Sequence, residues 1–391
     1  MTIGPRHILT IVVLLLASVT VGSLLCKADG EPVEVLYIVG FGYPPLRNPS
    51  IQTYNVDPQT GIAIKRGSPL RINSQDISLV PGLGDKLLYL ISTKRKPKFE
   101  RQLLVYRTLP DGEPIEPPIQ TLKLPQLTYI QPHPTKPFVY AMSRYQNLIW
   151  NPPATYFTSL FDITSGGSLN RRTEEWHSDG YFQDYALYGT DSKGSKLYLG
   201  STPGLGSGAG VTYYSQAIDP EDGSLATPAY LFCACGNEGD SLDAAISDRL
   251  IAFTHGFSYG DFYHSTVTLY PNTPNPDPLF VCDGSMLPTC GSAGNVWIDP
   301  SNHYVLISGE PLSQESTTVV TRIDLENQRL IPVGQIPYWQ LQFNGSGSLL
   351  YGWPWNKPGV QIYRFDRATG KTTPGSLIPL SAETVVPAQR Q

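Results

Sequence analysis

Short apolar runs alternate with polar turns along most of the chain at intervals of about ten residues, a spacing that fits strands rather than helices. One kind of run carries the pattern LYxxx, with the Tyr replaced or shifted in two copies. It recurs as VLYIVG (35–40), KLLYLIST (86–93), PFVYAMSR (137–144), KLYLGST (196–202), RLIAFTHG (249–256), HYVLISGE (303–310) and LLYGWP (349–354). From the second copy on, a polar turn precedes the run, such as HPTK (133–136) or NGSGS (344–348). A shorter apolar segment precedes that turn: DISLV (76–80), LTYIQ (127–131), DYALY (184–188), LDAAI (242–246), NVWID (295–299) and LQF (341–343).

A hairpin follows each run. In the first unit it reads YNVDPQTGIAIKRGSP (54–69), with a turn at DPQTG. Its counterparts are LLVYRTLPDGEPI (103–115), TSLFDITSGGSLN (158–170), YSQAIDPEDGSLA (214–226), TVTLYPNTPNPDPLF (266–280), VVTRIDLENQRLI (319–331) and QIYRFDRATGKTT (361–373), the fifth being the weakest. The turn glycines Gly61, Gly112, Gly167 and Gly223 are 51, 55 and 56 residues apart. Such turns favour a residue at positive φ. Each unit therefore has four strand segments, A to D. Seven units predict an all-β, seven-bladed β-propeller with four antiparallel strands per blade. The first unit lacks segment A, while PLSAETVVPAQRQ (379–391) remains after the last hairpin. A strand around Thr384–Val386 is expected to enter the first blade and close the ring, which removes an open edge. The predicted propeller domain is 31–391, with no second domain.

Composition adds compartment and partners. Arg6 and His7 precede an uncharged apolar stretch, ILTIVVLLLASVTVGSLL (8–25), which reads as a signal peptide or N-terminal membrane anchor over 1–25. The small residues Val21, Gly22 and Ser23 allow cleavage, and Cys26 raises a lipid-anchor alternative. All three place the folded part outside the cytoplasm: secreted, periplasmic or cell-surface. The membrane then enters only through that segment. Cys233, Cys235, Cys282 and Cys290 are an even set for an oxidising compartment, with three pairings open. A metal is the alternative, but the spacings Cys233-x-Cys235 and Cys282-x7-Cys290 do not match a zinc ribbon. No metal or other cofactor is expected. The net charge of −5 argues against nucleic acid as a partner.

The segments SIQTYNVDPQTGIAIKRGSPL (50–70), VTYYSQAIDPEDGSLATPA (211–229) and HPTKPFVYAMS (133–143) resemble the lactonase-type seven-bladed propellers, a family with 6-phosphogluconolactonase-like and carboxymuconate-cyclase-like members. The resemblance spans roughly 31–390. It implies the propeller fold and an activity that opens or closes lactone rings without a metal.

In a propeller the B-to-C and D-to-A connections share the face around the channel mouth, and the A-to-B and C-to-D turns share the back. Loops on a rigid scaffold tend to carry function. On the mouth side lie Arg47, then Lys94, Arg95, Lys96, Lys98 and Arg101 in KRKPKFER, then Arg144. Across from them lie His255, Asp261, His264, Glu310 and Glu315, and then Trp353 and Trp355. Lactone hydrolysis needs a base to activate water and a donor for the oxyanion. His255, Arg144 and Glu310 fit base, oxyanion donor and orienter. Arg47, Lys94, Arg95, His177, Asp179, Trp353 and Trp355 are candidate substrate contacts, the tryptophans by stacking on a sugar ring. His133 and His303 fall on back-face turns. GLGSGAG (204–210) lies between strands and opens no helix, so it reads as a loop rather than a phosphate cradle. Asn344-Gly345-Ser346 is a formal glycosylation sequon in a tight turn. Two functions remain open: hydrolysis or isomerisation of a lactone or sugar acid at the mouth, or non-catalytic binding of a glycan or surface protein.

Overall fold

The computed structural model describes residues 34–40, 49–74, 76–82, 86–94, 100–124, 127–145, 155–177, 183–203, 211–234, 240–259, 262–273, 276–309, 317–354 and 358–388. The apolar stretch 8–25 and Cys26 lie outside them.

Seven four-stranded antiparallel sheets form a propeller. Six use four consecutive strands, and the remaining blade pairs the chain's last strand with its first three. That last strand, Thr384–Ala388, runs antiparallel to Glu34–Gly40, with Thr384 opposite Val39 and Val386 opposite Tyr37. The closing strand is thus where the missing first segment required it. Residues Cys290–Ser292 form a 3-10 turn between blades 5 and 6.

The core explains the sequence pattern. Among the described residues seven apolar clusters are present, one at each seam between neighbouring blades. In strand B of blade 1, Val35, Tyr37 and Val39 pack toward blade 2, while Leu36 and Ile38 pack toward blade 7. A strand buried on both faces must be apolar at successive positions, which is the VLYIVG type of run. The outer strand of the same blade, Ala63–Arg71, is mostly exposed and correspondingly polar.

The turn glycines do more than turn. Gly112 has φ +88 and Gly223 has φ +76. A Cβ on Gly112 would stand 2.4 Å from Val35, and one on Gly223 would stand 2.6 Å from the Phe138 ring. These C-to-D turns therefore pack on strand B of the preceding blade. The buried tyrosine of strand B reinforces two seams: Tyr37 Oη donates to the Gly112 carbonyl at 2.8 Å, and Tyr140 Oη to the Gly223 carbonyl at 2.9 Å.

The back-face A-to-B turns are held by side-chain acceptors. Asp299 Oδ1 accepts from the amides of His303 and Tyr304 at 2.8 and 2.7 Å. His133 Nδ1 does the same for Thr135 and Lys136, at 3.1 and 3.0 Å. Asn344 fills the role in blade 7: its Oδ1 accepts from the Leu349 amide at 2.9 Å, and its Nδ2 donates to Glu34 at 2.5 Å. Asn344 is 1 % exposed, so the sequon is closed to glycosylation in the folded chain.

Cys282 and Cys290 form a disulfide with Cα atoms 5.8 Å apart, one of the pairings left open. It is buried at the seam of blades 5 and 6. Cys233 lies on the outer strand of blade 4, Ala229–Ala234, and Cys235 lies outside the described residues.

Candidate functional site

The inner strands surround the channel and start at its mouth. In three blades an aspartate near that start stands opposite a threonine of strand B. The pairs are Asp76 with Thr93, Asp184 with Thr202 and Asp243 with Thr254, in blades 2, 4 and 5. The ring thus carries a carboxylate at corresponding register positions of three inner strands.

Asp243 is the one whose side chain is described. It lies on Asp240–Ile246, just after a β-bulge between Ser241 and Asp243. The neighbouring inner strand, Ala293–Ile298, has its own register shift between Ala293 and Val296. Bulges re-aim side chains and backbone groups. Here they bring the Val296 amide to Asp243 Oδ2 at 3.0 Å. Thr254 Oγ1 donates to the Gly294 carbonyl at 2.9 Å, and the Asn295 amide donates to Ser308 Oγ at 2.9 Å. The Val296 amide thus fixes the carboxyl across the seam, and the Thr254 bond to Gly294 ties the same two blades beside it.

Burial pushes the Asp243 carboxyl up to about 6, although amide bonds from Val296 and Ala244 pull the other way. Its residue is still partly exposed. A largely buried carboxyl on an inner strand, raised to about 6, can exchange a proton with a bound reactant near physiological pH. Sequence reasoning missed it. The available signal was a charge inside the otherwise apolar inner segment LDAAI (242–246).

The predicted site residues divide into three groups. Arg47, Arg95, Asp179, Glu310 and Trp355 lie outside the described residues, as do Lys96, Lys98, Asp261 and Glu315. Lys94, Arg144, His177 and His255 have described strand positions. Lys94 ends strand B of blade 2 opposite Glu100. Arg144 and His177 flank Tyr156 in one register row of blade 3. His255 pairs with Ser241 and Thr266, one position along from Thr254, so its backbone neighbours that of Asp243's partner. The sequence reads His255 as directly following strand B of blade 5, but that strand runs through it to Tyr259, so His255 lies within it.

Trp353 needs correction as a stacking residue. It is 6 % exposed and packs between blades 7 and 1 with Leu349 and Tyr351. Period-two alternation along the strand explains this, since 349, 351 and 353 share one face. Arg101, from the basic loop, donates Nη1 to the Leu127 carbonyl at 2.8 Å and so ties blade 2 to blade 3. Among the described residues no group of three or more His, Cys, Asp or Glu is placed to hold a metal ion.

No family model matches this chain, and no curated protein matches it. Solved structures do. A candidate 6-phosphogluconolactonase of Bacteroides fragilis is 14% identical with a TM-score of 0.62, covering 93% of this chain and 99% of its own. Another, of Bacteroides uniformis, is 14% identical with a TM-score of 0.60, covering 92% and 100%. The periplasmic gluconolactonase of Pseudomonas aeruginosa is 13% identical with a TM-score of 0.57, covering 91% and 99%. The chain is a seven-bladed β-propeller of the arrangement seen in these proteins. At such identities the likeness shows the fold alone.

Proposed function

We propose that this chain is an exported hydrolase of lactones, with Asp243 as the general base at the inner wall of the channel. One observation carries the reading: a partly exposed inner-strand carboxyl, fixed by an amide of the next blade, is poised near neutrality by burial. The names of the similar structures, a gluconolactonase among them, favour a sugar lactone as substrate. The apolar start of the sequence and the buried disulfide favour an oxidising compartment outside the cytoplasm.

The step needs no cofactor. Water held at Asp243 loses a proton to the carboxylate as its oxygen attacks the lactone carbonyl carbon. The negative charge passes to the carbonyl oxygen. Collapse breaks the bond to the ring oxygen, which recovers the proton from Asp243 and leaves a hydroxy acid. Arg144 and His255 are the candidates for holding the developing oxyanion.

Hydrolysis of a panel of aldonolactones by the full chain, measured against the spontaneous rate, tests this. Asp243→Asn should lower kcat/KM by ~10²-fold or more while the thermal midpoint stays within a few degrees. Wild-type kcat/KM should fall as pH drops through about 6, because protonation removes the base. Turnover no faster than the spontaneous rate across the panel, or an Asn variant as active as wild type, refutes the reading.

A further inference from the structure

The seam between blades 2 and 3 departs from its neighbours on the back face, away from the mouth. At the seam between blades 1 and 2, and again between 3 and 4, the strand-B tyrosine ties to the turn glycine of the next blade. The equivalent hydroxyl here, on Tyr89, is buried and makes no hydrogen bond. The turn is held from outside instead: Arg107 donates Nη2 at 2.7 Å and Nε at 3.3 Å to the Gly166 carbonyl.

Beside that contact lies a cleft of about 470 Å³. Such a volume falls within the range of small-molecule sites. Leu87, Ile115, Pro137 and Ile163 supply an apolar lining, and Thr108, Thr164 and Ser165 add hydroxyls. Its charged lining residues, Lys86 and Arg107, are both cations. Among the described residues neither is seen to pair with a carboxylate. The two bonds to Gly166 immobilise the Arg107 guanidinium, and a guanidinium ordered before binding loses less freedom when it meets an anion.

We propose that this back-face cleft binds a small amphipathic carboxylate, with Arg107 and Lys86 meeting the carboxylate and Leu87, Ile115 and Ile163 meeting its apolar body. A neutral apolar ligand would leave the two cations without a counter-charge. A small inorganic anion would leave the apolar lining open to water. An apolar chain or ring with one carboxylate satisfies both.

Octanoate is the probe, titrated calorimetrically into the full chain. Saturable one-site binding is expected. Arg107→Gln should weaken it by ~10-fold or more, the scale of a charge-assisted hydrogen bond. Lys86→Gln, at an exposed side chain away from the core, should weaken it by ~3-fold or more. Ile115→Asp should abolish it, and 1-octanol should bind at least ~10-fold more weakly than octanoate. Lys371→Gln, an exposed cation on blade 7, should leave binding unchanged. No saturable uptake overturns the proposal. So does binding that survives both Lys86→Gln and Ile115→Asp in variants that retain the wild-type thermal midpoint, since the ligand would then sit elsewhere.

Discussion

Glu34 offers a direct test of how the ring is closed. It begins strand B of the first blade, is 7 % exposed, and accepts from two residues of the last blade. Tyr351 Oη donates to Oε1 at 2.8 Å, and Asn344 Nδ2 donates to Oε2 at 2.5 Å. Burial raises its carboxyl from 4.5 to about 7, with the two hydrogen bonds acting in the opposite direction. Burial and the neighbouring Glu34 charge hold Tyr351 well above its usual range, so it stays a donor throughout. An acid whose folded pKa exceeds its unfolded one binds its proton more tightly when folded. Its stabilising contribution is complete below about 4.5 and is lost as pH rises through 7. A shift of this size corresponds to about 3 kcal/mol between the two ends of the window. Glu34→Gln removes the charge and keeps the shape. Its amide oxygen can still accept from Asn344, and its amide nitrogen can donate to the Tyr351 hydroxyl. At pH 8 the variant should exceed wild type by about 1–3 kcal/mol, and by pH 5 the advantage should vanish or reverse by about 1 kcal/mol. Urea unfolding of both proteins at four pH values measures the difference, and taking the difference cancels every group they share. A gap independent of pH between 5 and 8, or a wild type that gains on the variant as pH rises, refutes the reasoning.

Three further outcomes follow from the packing. Ending the chain after Glu383 removes the strand that pairs with Glu34–Gly40, so thermal unfolding should lose its single sharp transition and gel filtration should show association through the exposed edge. Gly223→Ala forces a Cβ into the Phe138 ring at φ +76 and should cost about 2 kcal/mol or more in denaturant unfolding, whereas Gly334→Ala, where nothing lies within 4 Å, should be close to neutral. Replacing both Cys282 and Cys290 by serine opens a short buried loop and should cost about 2–3 kcal/mol, and reductant should then shift the midpoint less than it shifts that of wild type.

The fold was legible because seven units had to satisfy the same seam. A strand B packed on two neighbours must be apolar at successive positions, and a turn pressed on the preceding blade favours glycine, so both marks recur in the sequence. The closing strand was legible by subtraction, since one unit lacked its first segment and the chain had one to spare. Side-chain burial was read less well. Trp353 counts among the mouth-side loop residues, yet the two-residue period from Leu349 and Tyr351 already puts it on a buried face. The sequence puts His255 directly after strand B of blade 5, but strands B and C continue as a hairpin to Tyr259 and Phe262. Asp243 was hidden inside a segment valued only for its apolar period.

These cases share one rule. In a repeat protein a feature present in every unit is spent on building the unit, and chemistry must be sought where a unit breaks its own pattern at some cost. A carboxyl on an inner strand, raised to about 6 by burial, is such a break, because a neutral residue there would avoid the desolvation. Glu34 is another, with a charge buried where other seams use a tyrosine and a glycine carbonyl. The unbonded Tyr89 hydroxyl is a third, at the seam that opens into a cleft. The three differ in what the departure serves. The Glu34 carboxyl is closed in by its two partners and has only the ring closure to act on. Asp243 is partly exposed, and the Tyr89 seam carries cations beside open space, so those two can meet a ligand. Position in the wheel, more than the size of a pKa shift, therefore separates the structural departure from the functional ones. One candidate lies on the channel wall and the other on the back of the wheel, where the turn motifs alone gave no reason to look.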